Sequence, residues 1–222
     1  MARIKLTLSA NAGGALQFGG HRLLIDAFHN RKVSGFSTLD EKQQAAIWTH
    51  PDFVNPELIC VTHCHQDHYS KTMVDAAMNR WLKAKCLLPQ QMHLTDGDMQ
   101  IQYLPLIHEG VEFENTPHYG VFITWQGKNI LISGDCRIAG EDLLHAMHGK
   151  QIDLAILNFP WLTLRKGRRC LENLLKPGKC IFWHLPFTED DINGYRRSAE
   201  AALNQYPGML LYNPFQTIEV DI

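Results

Sequence analysis

The run Thr62-His63-Cys64-His65-Gln66-Asp67-His68 constrains this chain more than any other stretch. It directly follows the apolar segment Leu58-Ile59-Cys60-Val61, which reads as a short buried strand. Alternate residues of an extended segment share a face, so His63 and His65 point the same way. Asp67 and His68 then need one tight turn to face a second point nearby. Imidazole nitrogen and carboxylate oxygen are the ligands that a borderline divalent cation such as zinc prefers. Two ligand pairs this close together predict two neighbouring metals and, with them, metal-assisted hydrolysis. The competing reading is a polar loop that is merely rich in histidine, but packing gives no reason for such a run.

At 222 residues the chain can bury a sizeable core. No Pro/Ser/Gly-rich tract, charge block or low-complexity run divides it, so a single domain over residues 1–222 is expected. A hydrophobic content of 45% and a charged content of 20% are ordinary for a soluble globular protein. The net charge of -2 gives no electrostatic case for nucleic acid or a membrane surface as partner. No apolar run approaches membrane-spanning length, and the N-terminal residues lack the apolar core of a signal peptide. A cytoplasmic protein acting on a small molecule is the expectation. Of the cysteines, Cys60, Cys64, Cys86, Cys136, Cys170 and Cys180, none form a CxxC pair, and they read as reduced and mostly buried thiols. Cys64 lies inside the histidine run, but alternation turns it away from His63 and His65.

Pattern and turn chemistry predict strands at 2–8, 14–18 and 21–26, with Gly19-Gly20 as a hairpin turn. A helix is expected over 38–49, and Ser70 caps another whose apolar stripe is Met73, Val74, Ala77, Met78 and Trp81. Strands are expected at 57–61, 85–88, 98–102, 103–107, 111–114, 120–125 and 129–133. The remainder reads as helices at 141–148, 170–176 and 188–205, and strands at 152–158, 179–183, 209–212 and 216–221. Thr188 and the acidic residues after it mark the start of the last helix. Two packed sheets with helices outside account for this order.

A two-metal site needs more ligands than one loop supplies. Further candidates stand at the ends of apolar strands: Asp26 after Leu23-Leu24-Ile25, His118 before one, Asp135 in Ser133-Gly134-Asp135, and His184 after Ile181-Phe182-Trp183. Taken in order, Asp26, His63, His65, Asp67, His68, His118, Asp135 and His184 resemble the motifs of the metallo-β-lactamase-fold hydrolase superfamily, over nearly the whole chain. The resemblance implies an α/β fold, an αββα four-layer sandwich of two mixed sheets flanked by helices. It also implies two divalent metal ions, zinc first among them, with manganese or iron as alternatives. His63, His65 and His118 would hold one metal, and Asp67, His68 and His184 the other. Asp135 would bridge them, so that Asp67 and Asp135 are the carboxylates nearest the chemistry. Asp26 would orient the histidine loop from behind. His108, in Leu106-Ile107-His108-Glu109, competes with His118 for the third position. His118 is the first choice because it abuts the strand leading towards Asp135. The remaining histidines, His29 among them, read as turn or surface residues.

Two dications a few ångströms apart lower the pKa of a shared water enough to give hydroxide near neutral pH. That hydroxide would attack an ester-like, lactone or phosphodiester bond. The cations of Arg165-Lys166-Gly167-Arg168-Arg169, and Arg137 near Asp135, suggest an anionic substrate; the alternative is a solvated basic helix face. Small bacterial branches that include ascorbate-6-phosphate lactonase-like proteins share the general pattern. An iron redox protein or a non-catalytic metal-binding protein on the same fold is the other reading. Iron members of the superfamily usually carry acidic ligands in place of some histidines and an attached flavin domain, and no segment here suggests one.

Overall fold

The structure is a computed structural model and describes residues 2–222. Its strands are β1 (Arg3–Leu8), β2 (Gly14–Phe18), β3 (His21–Ile25), β4 (Leu58–Cys60), β5 (Lys85–Leu87), β6 (His93–Asp96), β7 (Met99–Pro105), β8 (Tyr119–Trp125), β9 (Lys128–Ile132), β10 (Leu154–Asn158), β11 (Lys179–Trp183), β12 (Met209–Leu210) and β13 (Thr217–Asp221). The α-helices are α1 (Glu41–Ile47), α2 (Lys71–Arg80), α3 (Glu141–Ala146), α4 (Pro160–Thr163), α5 (Arg165–Cys170) and α6 (Tyr195–Ala202). Internal contacts divide the chain into two compact units. Unit 1 comprises 2–88, 184–196 and 211–221, and unit 2 comprises 89–183, 197–210 and 222.

Unit 1 carries a six-stranded mixed sheet in the order β13-β1-β2-β3-β4-β5. In it β1, β2 and β3 pair antiparallel through short connections, β13 adds antiparallel to β1, and β3, β4 and β5 run parallel. The hairpin between β2 and β3 turns on Gly19 and Gly20, both at positive φ. The helix α1 begins at a capping box in which Asp40 and Gln43 exchange hydrogen bonds. Ser70 caps α2, which buries Met73, Val74 and Ala77. Phe28 stacks on Trp48, and Trp81 packs against both, so an aromatic cluster anchors the two helices.

Unit 2 carries a seven-stranded mixed sheet in the order β12-β11-β10-β9-β8-β7-β6. The segments from β6 to β9 form an antiparallel meander, and β9 to β12 are parallel. Buried parallel strands read as near-continuous apolar runs, which explains Leu154 to Leu157 and Cys180 to Trp183, all buried.

Several expectations need correction. The expected strands 98–102 and 103–107 are one strand, β7, paired in continuous register with β8. Residues 93–96, with no strong pattern, form the edge strand β6. The expected strand 111–114 is a 3₁₀ turn at Val111–Phe113. The helix expected from Thr188 starts only at Tyr195, because Gly194 sits at φ 68° and interrupts the chain. Asp191 then serves as its cap, accepting from the backbone of Tyr195 and Arg196 at 2.7 and 3.1 Å. Residues 160–163 and 165–170 form the helices α4 and α5, and the helix expected at 170–176 continues from α5 as a π-helical segment at Leu171–Leu175. All six cysteines are free; Cys64 is exposed and Cys86 half-buried, and the other four are buried. No helix among the described residues is long and apolar enough to cross a membrane.

Candidate metal centre

In unit 1 the candidate site stands where β3 and β4 end. These strands are parallel, with Ile25 opposite Cys60, so Asp26 and the histidine loop leave the sheet side by side. Asp26 adopts φ 44°, and its N–H donates to the Cys60 carbonyl at 2.9 Å. Gly13 lies against it so closely that a Cβ there would come within 2.2 Å of the Asp26 carbonyl oxygen.

The Asp26 carboxylate accepts three hydrogen bonds. They come from the Thr62 backbone N–H at 2.8 Å, the Thr62 hydroxyl at 2.6 Å and His68 Nδ1 at 3.0 Å. A carboxylate has no proton to give, so His68 donates from Nδ1 and carries its lone pair on Nε2. The Thr62 hydroxyl gives its proton to Asp26, so its oxygen accepts from His63 Nδ1 at 3.0 Å. His63 is thereby fixed in the same tautomer. One buried carboxylate sets two imidazoles with Nε2 ready to bind a cation, which is how ligand histidines are oriented from behind.

The ligand atoms converge accordingly. His68 Nε2 lies 3.1 Å from His184 Nε2, and Asp67 Oδ2 lies 3.7 Å from that same atom. The donor atoms of Asp67, His68 and His184 all fall within 4.8 Å of one another, and the three residues are buried. A cation about 2.0–2.2 Å from each of its tetrahedral ligands would space them by roughly 3.3 Å, so this trio fits one. The His63 ring lies 4.1 Å from that of His68 and 4.7 Å from that of His65. The motif residues and His184 are therefore one cluster.

His184 is held by residues that the sequence did not single out. Its backbone N–H donates to Asn11 O at 2.9 Å, and the Phe36 ring stands nearly perpendicular to its own, with centres 4.5 Å apart. Asn11 is buried and bonds Ser37 through both ends of its side chain. His184 and Asn11 sit at φ 63° and 47°. Non-glycine residues in that region cost about 1–3 kcal/mol and collect at functional sites. His29, expected at the surface, is fully buried instead. Its Nε2–H donates to Ala10 O at 3.2 Å, and its Nδ1 has no hydrogen-bond partner among the described residues. Burial, with a smaller contribution from His68 and His184 nearby, pushes its pKa down to about 4.

In unit 2, Asp135 follows β9 at the same kind of strand end. Asn158 at the end of β10 donates from Nδ2 to Asp135 Oδ1 at 2.5 Å. His108 lies beside it, with Nε2 3.8 Å from Asp135 Oδ2. An isolated bridge joins His108 to Cys136, and Glu109 N donates to Asp135 O at 2.8 Å. Sequence reasoning set His108 apart from Asp135 by a strand at 111–114. That segment is a turn, and residues 107–109 instead lie along residues 135–137. His118 precedes β8, as expected, and its ring lies 5.4 Å from that of His108. Both rings donate from Nδ1 to a carbonyl, His108 to Glu109 O at 2.6 Å and His118 to Leu106 O at 3.1 Å. Both thus present Nε2 lone pairs, and both are buried. Asn158 was missed, although it ends an apolar run just as His184 follows one.

No protein-family model matches the sequence, and no curated protein does. Solved structures do. One is described as a possible metal-dependent hydrolase from Veillonella parvula, with a TM-score of 0.63 and 15% identity over 96% of this chain and 98% of that one. Another is the metallo-β-lactamase-fold protein YhfI from Bacillus subtilis, with a TM-score of 0.58 and 16% identity over 99% and 100%. A third is CmlA, a diiron β-hydroxylase from Streptomyces venezuelae, with a TM-score of 0.57 and 12% identity. It matches 99% of this chain, which spans only 54% of CmlA. The chain has the metallo-β-lactamase fold: α/β, with two mixed sheets and flanking helices.

Proposed function

We propose that this protein is a dinuclear metal-dependent hydrolase acting on an ester-like, lactone or phosphodiester bond of a small anionic molecule. The observation that carries the proposal is the Asp26 carboxylate. It fixes His68 directly and His63 through Thr62, so that their Nε2 atoms are available to a cation beside Asp67 and His184. The ligands proposed are His63, His65, Asp67, His68, Asp135 and His184, with His118 or His108 completing the set. Their assignment to two metals rests on the order of the motifs along the sequence. A bound divalent cation there supplies Lewis-acid polarisation and lowers the pKa of water. The protein's own part is to hold the imidazoles aimed, and to place carboxylates where they balance the added charge. Asn158, bonded to Asp135, orients the carboxylate that the proposal uses as a bridge.

The test pairs elemental analysis with a hydrolysis screen over lactones, phosphodiesters, thioesters and β-lactams. Two metals per chain are expected, together with turnover in at least one class. Asp135→Asn keeps the shape and removes the charge, so turnover of that substrate should fall by about two orders of magnitude or more. Full turnover in Asp135→Asn would overturn the bridging role, and a metal-free, inactive protein the whole reading. Zinc is the proposed metal. The likeness to CmlA, named as a diiron enzyme, supports iron as the second choice, and the absorption spectrum of the purified protein separates the two.

A further inference from the structure

The basic run at 165–169 divides into two jobs. Arg168 is structural: its Nη1 donates to the Leu162 and Thr163 carbonyls at 2.7 and 2.8 Å, satisfying the C-terminal end of α4. Gly167 permits that elbow, since a Cβ there would stand 2.4 Å from Trp161 O. The other cations, Arg165, Lys166 and Arg169, line an open cleft of about 560 Å³ in unit 2, with Cys170, Asn173 and Leu174 beneath them. Ala139, held at φ 56° in the turn before α3, forms the facing edge.

The helix geometry keeps this lining together. Arg165, Arg169 and Asn173 are each four residues apart, as are Lys166, Cys170 and Leu174. In an ideal α-helix each such step drifts by roughly 40°. Here α5 runs into a π-helical segment at Leu171–Leu175, whose wider turn counters the drift. Both rows stay on the cleft. π-Helical turns of this kind are frequent at functional sites.

The charges indicate what fits. Neither the Arg165 nor the Arg169 guanidinium makes an ion pair or hydrogen bond among the described residues. Lys166 lies 3.5 Å from Glu109, the one acidic partner of these cations among the described residues. Three cations less the Glu109 carboxylate leave two positive charges, which suits a dianion better than a monoanion. The Asn173 amide holds the Arg169 carbonyl at 2.8 Å. Two guanidinium forks match the tetrahedral oxygens of a phosphate group, and the exposed Leu174 offers apolar surface to its organic part.

We propose that the Arg165–Lys166–Arg169 cleft is a binding site for a small phosphate monoester. The site stands on unit 2 alone and does not depend on the hydrolase reading. The experiment is calorimetric titration of phenyl phosphate into the full chain, once metal-loaded and once chelator-treated. Phenyl phosphate should bind in both states. The double variant Arg165→Gln/Arg169→Gln should weaken it by about tenfold or more in both, with unchanged metal content and melting temperature. Arg168→Gln should lower the melting temperature instead. Benzoate, a monoanion with the same ring, should bind about tenfold more weakly than phenyl phosphate. Binding that disappears with the metal, that ignores the double variant, or that appears only for a single-stranded oligonucleotide would overturn the proposal. Metal content, read separately, keeps its failure distinct from failure of the hydrolase reading.

Discussion

At the scale of single residues, two buried groups make opposite demands. Asp26 is a carboxylate with three donors around it, and its work is orientation. Asp26→Asn keeps its size but cannot accept from every one of those donors, so His63 and His68 lose their fixed tautomers. Metal affinity should fall about 10- to 100-fold, measured by competition with a chromogenic chelator. Unchanged affinity would mean that Asp26 merely ends a strand. His29 is a buried base whose pKa is pushed from 6.5 down to about 4. A lowered base pKa means that the unfolded chain takes up its proton first. Stability is therefore unaffected above pH 6.5, falls as pH drops from 6.5, and levels off near pH 4. The cost over that window is roughly 3 kcal/mol. In chelator-treated protein, His29→Gln should show a shallower loss of stability across that range than the wild type. Parallel pH profiles would show that His29 is not held neutral. Nothing local in Ala27-Phe28-His29-Asn30 signals burial of this ring, because its partner carbonyl, Ala10, lies in another loop.

At the scale of elements, the informative failure was the segment 111–114. Its alternation reads as a strand, yet Gly110 at φ 94° starts a 3₁₀ turn there, and residues 107–109 lie along residues 135–137. This sharpens the contest for the third histidine. The strand-end argument still favours His118, while its nearness to Asp135 favours His108. His118→Ala and His108→Ala should therefore differ. Metal stoichiometry, measured by elemental analysis of each variant, should fall only in the one that lacks the ligand. If both variants keep the full metal complement, neither histidine is a ligand.

At the scale of the whole molecule, the proposed metal binding predicts a link to stability, because the unfolded chain offers no assembled cluster. A cation present at about a thousand times its dissociation constant adds roughly 4 kcal/mol, which is on the order of 10 °C in melting temperature for a chain of this size. A strong chelator should remove that increment near pH 7.5. The increment should shrink as pH falls below about 6.5, where free histidines protonate and compete with metal. His184→Ala should melt with much less response to the chelator, and a full response in that variant would remove His184 from the ligand set. The sequence by itself determined the strand that delivers the histidine loop, the residue types of the candidate ligands, the fold class and most strand positions. Each of these rests on periodicity, capping or residue chemistry within a short window, which needs no knowledge of the rest of the chain. Only the tertiary structure decided that Thr62 relays Asp26 to His63, that Asn11 and Phe36 hold His184, that His108 stands beside Asp135, and that His29 is buried. Those outcomes depend on which strand ends and loops meet. Contacts across long sequence separations leave no periodic trace in a single chain.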